Sequence, residues 1–236
     1  MKADGTIITA ADIASEEILL AAISMHAPRP HRLVSEERAP SLVADATPST
    51  WFVDPLDGTR SYVIGSTDFA VLISEWAAGE ARFSVVYYPA LGELAVAAGH
   101  RAAWTPSNTP AATPAGAPRM GVVHACYIRS PALRRLATEA GAAYREEETE
   151  SSRALLDVAT GAASAAVVLL CGHKSWDLAP LLHLIIAAGA FVSDEAGYPV
   201  RMSGPDVSGR YIIAARNPSL HKRLMTASWN LPASEL

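Results

Sequence analysis

The stretch WFVDPLDGTRSY, Trp51 to Tyr62, decides how this sequence is interpreted. Three apolar residues lead into Asp54 and Asp57, and Gly58 and Thr59 follow at once. Carboxylates at the end of a buried strand cost free energy unless a partner neutralises them. The stretch therefore predicts a short strand that ends in a site where two carboxylates hold something.

Size and charge limit the classes of protein to be considered. The chain has 236 residues, enough for one large domain or two closely joined halves. Apolar residues make up 50% of it, and 24 acidic against 19 basic residues give a net charge of −5 that is spread along the chain. Because no basic stripe is present, a nucleic acid polymer is not expected as a partner.

Cysteine usage and apolar segments indicate the compartment. Cys126 and Cys171 lie far apart without CxxC spacing, which is typical of core thiols in a reducing compartment. The N-terminus lacks the apolar segment of a signal peptide, so a cytoplasmic protein is expected. The longest uncharged apolar stretch, Leu178 to Val192, contains a proline and falls short of the roughly 20 residues of a membrane span. It predicts a buried helix followed by a strand, and no membrane association.

The first half of the chain, residues 1–110, is predicted to hold one helix and several strands. Thr9 to Met25 is a helix that opens with capping-box spacing. Asp68 to Tyr88 contains two strands around an Ala-Gly turn, and Gly92 to Trp104 contains two more. A largely antiparallel sheet with one helix is therefore expected.

The second half, residues 119–236, has a different pattern. Residues 105–118 carry four prolines and no charge, so they are predicted to connect the halves. Beyond them, predicted helices that begin at Pro131 and at Ser151 or Ser152 alternate with predicted strands. This alternation is typical of a layered α/β domain.

Acidic residues recur at the predicted boundaries of elements. Glu36 and Glu37 precede a polar loop, and Asp177 opens an apolar helix. If Glu36, Asp54, Asp57 and Asp177 share a pocket, protonation or a cation must relieve their repulsion. An all-oxygen ligand set suits Mg²⁺ rather than zinc.

A magnesium site of this composition favours phosphate chemistry. Mg²⁺ is commonly held by a few carboxylates together with phosphate oxygens, and it can prepare a water for attack on phosphorus. Gly58 allows the backbone to approach an anion, and the Thr59 hydroxyl could pass a proton from the attacking water to Asp12. The sequence therefore predicts a phosphomonoesterase.

Each acidic residue also has an ordinary interpretation. Asp12 could only cap its helix, Asp177 could be an N-cap, and Glu36 and Glu37 could belong to a solvated loop. An aspartate nucleophile of the DxDGT type, as in haloacid dehalogenase phosphatases, is excluded because Pro55 stands in the nucleophile position.

The ordered motifs resemble those of the inositol monophosphatase superfamily. WFVDPLDGTRSY resembles the D-P-[IL]-D-G-T signature, SEE the upstream glutamate pair, and WDLAPLLHLIIAAGAFVSDEAGYPV the C-terminal W-D-x-A signature. With the T-x-x-D segment at Thr9, the resemblance spans nearly the whole chain. It implies an α/β fold, a layered αβαβα sandwich of the inositol monophosphatase and fructose bisphosphatase type, here without the first N-terminal helix. A homodimer and sensitivity to lithium are also implied.

The resemblance further implies roles for individual residues and a cofactor. One metal would be held by Glu36, Asp54 and the Leu56 carbonyl, and another by Asp54, Asp57 and Asp177. The catalytic residues would be Glu36, Thr59 and Asp12, with phosphate on the amides of Gly58 and Thr59 and with Glu37 in support. The cofactor would be Mg²⁺, as two or three ions, with Mn²⁺ able to substitute.

The substrate is predicted from departures within the motifs. Where inositol monophosphatases have a glutamate seven residues before the W-D aspartate, this chain has Leu170. The segments KADGTIITAADIASEEIL, DPLDGTR and WDLAP look closer to the branch that removes the 3′-phosphate from adenosine 3′,5′-bisphosphate. A nucleotide or nucleoside 3′- or 2′-phosphate is therefore expected. Glu150 replaces the glycine of that branch, which would disfavour a second phosphate. Substrate contacts are expected from Ser152, Arg153, His173 and Lys174, although a solvated lysine is an equal alternative.

Three alternatives stay open at this point. The first is an inositol- or sugar-phosphate phosphatase. The second is a phosphatase for a nucleoside or sugar phosphate in a specialised biosynthetic pathway. The third is a non-catalytic phosphate-binding protein, which the complete set of acidic residues disfavours.

Overall fold

The computed structural model describes residues 7–27, 30–38, 49–105, 119–125, 131–145 and 149–228. The helices are α1 (Ala10–His26), α2 (Thr59–Val63), α3 (Pro131–Glu139), α4 (Ser151–Thr160), α5 (Ser175–Ala187) and α6 (Pro218–Ser228). The strands are β1 (His31–Ser35), β2 (Ser49–Asp57), β3 (Ala70–Ala77), β4 (Glu80–Tyr88), β5 (Glu93–Ala98), β6 (Arg101–Thr105), β7 (Arg119–Ala125), β8 (Ala143–Arg145), β9 (Ala163–Leu169), β10 (Phe191–Asp194), β11 (Met202–Ser203), β12 (Asp206–Val207) and β13 (Tyr211–Ala215). None of the helices in these ranges is long and apolar enough to cross a membrane.

Strands β1 to β6 form one sheet in sequence order among the described residues. Its neighbours are antiparallel except for β1, which pairs with β2 in parallel. The hairpin between β3 and β4 turns at Ala78 and Gly79, both with positive φ, as a tight hairpin turn requires. The predicted antiparallel sheet is confirmed, and only the parallel edge strand was not expected.

A second sheet contains the later strands in the order β10-β13-β9-β7-β8. Helices α4 and α5 pack against each other between the sheets, with α5 on β2 to β5 and α4 on β9. Helix α1 lies on the outer side at β2, and α3 and α6 pack together on the outer side of the second sheet. The layers therefore read αβαβα, as predicted.

The largest part of the core lies in the middle layer. Helix α5 is buried along most of its length, and it includes Leu178, Leu181 and Ile185, which are fully enclosed. This explains why the apolar run beginning at Leu178 has almost no polar face: it contacts both sheets. The run was correctly predicted to be a buried helix followed by a strand.

Several sequence predictions differ from the structure. Helix α6 was missed, although Leu220, Leu224 and Ala227 are buried at helical spacing and were a usable signal. Cys171 is exposed rather than a core thiol. Cys126 and residues 106–118 of the predicted connection lie outside the described residues, so the division into halves stays a prediction.

Candidate active site

A β-bulge in β2 brings the two aspartates of the opening stretch to one side. The register between β2 and β3 shifts between Asp54 and Asp57. In a regular strand, residues three apart point to opposite faces, and an extra residue in a bulge restores the same face. Pro55 suits this position because it has no N–H to donate, and its carbonyl accepts the Ser15 hydroxyl at 2.8 Å.

Gly58 turns the chain directly after the bulge. Its φ is +75°, a left-handed conformation that side chains rarely adopt. A Cβ here would lie 2.8 Å from the carbonyl oxygen of Asp68 and 3.2 Å from the side chain of Glu150. The position therefore requires glycine for two independent reasons, and the turn places Thr59 at the start of α2.

The Thr59 hydroxyl joins α2 to α1. Its Oγ1 lies 3.2 Å from Asp12 Oδ1 and 3.0 Å from the carbonyl oxygen of Leu56. The other oxygen of Asp12 accepts the N–H and the hydroxyl of Thr9, at 2.7 and 2.6 Å. Both interpretations of Asp12 hold together, since it caps α1 and also contacts Thr59. The capping bonds fix a fully buried carboxylate in place.

Three carboxylates from two layers converge beside this turn. One carboxylate oxygen from each of Asp54, Asp57 and Asp177 lies within 4.8 Å of the other two. Asp177 comes from the first turn of α5, where it accepts the N–H of Lys174 at 2.6 Å. Glu36 follows β1, and its own N–H donates to the carbonyl of Val53 at 3.1 Å, which holds it beside β2.

The carboxylates line a pocket of about 260 Å³ that also contains the Gly58 turn. Its described lining residues are Glu36, Asp54, Leu56, Asp57, Gly58, Thr59, Glu150, Ser151, Cys171, Gly172, His173 and Asp177. Five of these are acidic, and no lysine or arginine is among them. The described lining therefore gathers five acidic groups without a lysine or arginine to offset their charge.

Burial and mutual repulsion change how these groups ionise. Burial, followed by the charges of Glu36 and Asp57, raises the pKa of Asp54 well above its usual range. Burial and the charge of Asp177 raise the pKa of Asp57, while a hydrogen bond from Ser152 opposes the rise. Burial raises the pKa of Asp177 to about 7. A divalent cation with oxygen ligands would relieve this repulsion, so the residues fit Mg²⁺ or a similar ion.

Polar residues behind Asp57 hold its carboxylate in place. Ser152 of α4 donates to Asp57 Oδ2, and the buried Tyr88 hydroxyl donates to Ser152 Oγ at 3.0 Å. Asp68 and Ser61 also anchor groups near the turn, through bonds to Glu150. None of Tyr88, Asp68 and Ser61 was predicted from the sequence, because nothing in their local pattern indicates the polar partners that they meet in the folded chain.

The predicted substrate contacts divide into two groups. His173 lines the pocket, as expected, but Ser152, Arg153 and Lys174 are not among its described lining residues. Arg153 makes a bidentate pair with Glu93 at 2.7 and 3.0 Å and lies over the ring of Tyr88. Lys174 Nζ bonds Asp206 at 2.9 Å on the surface. Both cations thus form ion pairs with carboxylates of the same chain.

Glu37 is half-buried next to Glu36 and does not belong to the described lining either. The structure therefore brings together Asp12, Glu36, Asp54, Asp57, Thr59 and Asp177 from distant parts of the chain, with Leu56 and Gly58 between them.

Comparison with known proteins assigns this arrangement to a family. The family model described as the inositol monophosphatase family matches residues 2–233. The chain belongs to this family. Its members are phosphatases, so the protein is a hydrolase of phosphoric monoesters, and the family resemblance seen in the sequence is confirmed.

Individual relatives differ in their activity and in the share of this chain that they match. The chain is 29% identical to an inositol-1-monophosphatase of Mesorhizobium japonicum over 225 residues, which is 90% of this chain and 82% of the relative. It is 35% identical to the 3′(2′),5′-bisphosphate nucleotidase CysQ of Shigella flexneri, but over only 41% of this chain and 39% of that protein. The structure of an inositol monophosphatase from Anabaena matches with a TM-score of 0.75 and 25% identity, covering 97% of this chain and 90% of that one.

Proposed function

We propose that this phosphatase is Mg²⁺-dependent, uses water as the nucleophile and acts on a nucleoside 3′- or 2′-phosphate. The observation that carries the metal dependence is the convergence of Asp54, Asp57 and Asp177 within 4.8 Å in a pocket that has no lysine or arginine among its described lining residues. So many carboxylates in one buried place favour a cation.

The residues that would hold the metal are carboxylates and one carbonyl. Asp54, Asp57 and Asp177 are the proposed ligands, with Glu36 and the Leu56 carbonyl completing the set. The chemistry that Mg²⁺ supplies when bound is a lowered pKa of water and stabilisation of negative charge on the leaving oxygen. Mn²⁺ accepts similar oxygen ligands and is expected to substitute.

The chain itself supplies proton transfer and phosphate contacts. The Thr59 hydroxyl, 3.2 Å from Asp12 Oδ1, can donate to this carboxylate while it accepts a proton from the attacking water. The N–H groups of Gly58 and Thr59 are the proposed phosphate donors. Attack by water without a covalent intermediate agrees with Pro55 in the position of the aspartate nucleophile used by other phosphatases.

A sugar or inositol monophosphate is the second candidate substrate. It is favoured by the Mesorhizobium inositol-1-monophosphatase, which aligns over most of this chain, whereas the nucleotidase relative aligns over less than half. Leu170 argues against inositol, because an apolar side chain cannot bond the hydroxyls that a glutamate would contact at this position.

A homodimer is proposed as the working assembly. The outer face of α1 presents an exposed apolar stripe of Ala14, Ile18, Ala21, Ala22 and Met25, and a second copy of the chain would cover it. Light scattering at micromolar concentration should give the mass of two chains, and the mass of one chain would contradict the proposal.

Phosphate release from a panel of substrates tests the function. The panel contains nucleoside 2′- and 3′-monophosphates, adenosine 3′,5′-bisphosphate, inositol 1-phosphate and fructose 1,6-bisphosphate, each with Mg²⁺, with Mg²⁺ and Li⁺, and with EDTA. Release should require the metal, fall with Li⁺ and be fastest with a nucleoside monophosphate. Release that persists in EDTA would contradict the proposal, as would metal-dependent binding of ligands without any turnover.

A further inference from the structure

We propose that Glu150, Ser151 and His173 form a specificity subsite that selects monophosphate esters carrying hydrogen-bond donors and repels a second phosphate. The three side chains belong to the same pocket as the carboxylate cluster. The inference rests on the proposed function, since it names the class of substrate that this site would take.

Glu150 is held rigidly at the start of α4. Its N–H donates to Asp68 Oδ2 at 2.9 Å, and the neighbouring Thr149 hydroxyl bonds the same oxygen at 3.0 Å. Its carboxylate oxygen Oε1 accepts the Ser61 hydroxyl at 2.7 Å. With 7% of its surface exposed, this side chain is a fixed part of the pocket wall.

The carboxylate of Glu150 lies directly beside the proposed phosphate position. Its Cγ and Oε1 approach the Gly58 position so closely that a Cβ there would lie 3.2 Å from both atoms. A group attached close to a phosphate bound at Gly58 and Thr59 would therefore meet this carboxylate.

Ser151 and His173 extend the same wall with neutral polar groups. His173 Nε2 lies 2.9 Å from Ser151 Oγ, and His173 Nδ1 is buried without a hydrogen-bond partner among the described residues. Burial lowers the pKa of His173, so the ring is neutral near pH 7. Ser151 Oγ can exchange hydrogen bonds with substrate hydroxyl or amino groups, and the neutral His173 ring that orients it cannot neutralise an anion.

The charge balance of the pocket supports the same selection. Two Mg²⁺ ions would match the charges of Glu36, Asp54, Asp57 and Asp177, and Glu150 would add a fifth negative charge. A carboxylate accepts hydrogen bonds from hydroxyl or ammonium groups, whereas a phosphate placed against it is repelled.

The test compares adenosine 3′-monophosphate with adenosine 3′,5′-bisphosphate, which differ only in the second phosphate. In the wild type, kcat/KM should favour the monophosphate by about 100-fold, as expected for like charges a few ångströms apart. In Glu150→Gln the preference should fall by about 10-fold or more, because the amide keeps an acceptor for Ser61 but loses the charge. The matched control is Glu80→Gln, which removes the same charge from an exposed residue at the far end of β3 and β4 and should leave the ratio unchanged.

A binding readout separates the subsite from the proposed function. Affinities of both ligands are measured by calorimetry with Ca²⁺, an ion of the same charge and ligand preference, in the wild type and in both variants. A wild type that binds and cleaves both ligands equally, or a ratio that Glu150→Gln leaves unchanged, overturns the subsite. If no substrate is cleaved but the binding ratio shifts as expected, the proposed function fails and the subsite stands.

Discussion

At the scale of single residues, the site depends on a contiguous segment and a few distant partners. Asp54, Asp57 and Thr59 could be predicted because they lie within six positions of one another, and their spacing itself requires a bulge and a turn. The bonds of Tyr88 to Ser152, and of Asp68 and Ser61 to Glu150, could not, since only tertiary packing brings these pairs together. The contacts of Thr59 with Asp12 and the Leu56 carbonyl have the most direct role in the proposed reaction.

Replacing Thr59 by valine tests the role of its hydroxyl in proton transfer. Valine keeps the shape but loses the hydroxyl between Asp12 and the Leu56 carbonyl, so proton transfer should be impaired. We expect kcat to fall by about 10² to 10⁴-fold, the usual contribution of general base catalysis, with a smaller change in KM. Steady-state phosphate release measures both constants.

The matched control for this variant is Thr59→Ser, which keeps the hydroxyl and should retain most of the activity. Equal activity in the valine and serine variants would show that the hydroxyl has no part in catalysis.

At the scale of elements, α4 shows that the sequence predicts where a helix lies but not what each of its side chains contacts. Its start at Ser151 agrees with the prediction of a helix that begins at Ser151 or Ser152. Successive residues of a helix point about 100° apart, so Ser152 and Arg153 meet different neighbours. Ser152 contacts Asp57, while Arg153 points to Glu93 and Tyr88, and only the structure distinguishes the two.

Arg153 is therefore expected to stabilise the fold rather than to bind substrate. Arg153→Met should lower the free energy of unfolding by about 2 to 4 kcal/mol, because it leaves the largely buried Glu93 carboxylate unpaired. Urea denaturation measures this change, and KM at a temperature where the variant is folded should stay within about 3-fold of the wild type.

Lys174→Met is the matched control, since it breaks a surface pair with Asp206 and should cost at most about 1 kcal/mol. A large rise in KM for Arg153→Met without loss of stability would restore the substrate-binding role predicted from the sequence.

At the scale of the whole molecule, the site lies where three layers meet. The first sheet supplies Asp54 and Asp57, α1 supplies Asp12, and the middle layer supplies Asp177 and Glu150. The layered architecture was predictable because the motifs resemble those of a family, whereas the parallel pairing of β1 with β2 was not. This architecture concentrates buried carboxylates at the site, and their repulsion should lower the stability of the metal-free protein.

Stability without metal is expected to fall as pH rises. The folded-state pKa values of Asp54, Asp57 and Asp177 are raised above their unfolded values, that of Asp177 to about 7. A raised pKa contributes stability that is fully present below the unfolded pKa of about 4 and is lost as pH rises through the folded pKa. In EDTA the melting temperature should therefore decrease between pH 5 and pH 8, and Mg²⁺ should raise it more at pH 8 than at pH 5.

Asp177→Asn serves as the control for this pH dependence, because it removes one of the titrating groups and should flatten the profile in EDTA. A stabilisation by Mg²⁺ that does not change with pH would mean that these carboxylates do not bind the ion.

The most direct test asks whether activity and Mg²⁺ binding both depend on the carboxylate cluster, and it uses the Asp54→Asn and Asp57→Asn variants. Phosphate release with Mg²⁺ is measured together with the melting temperature in EDTA and in Mg²⁺. We predict that both variants lose phosphate release, lose the stabilisation by Mg²⁺, and melt in EDTA at or above the temperature of the wild type because a buried negative charge is gone. Phosphate release at the wild-type rate in both variants would contradict the claim that these two aspartates hold the metal used in catalysis.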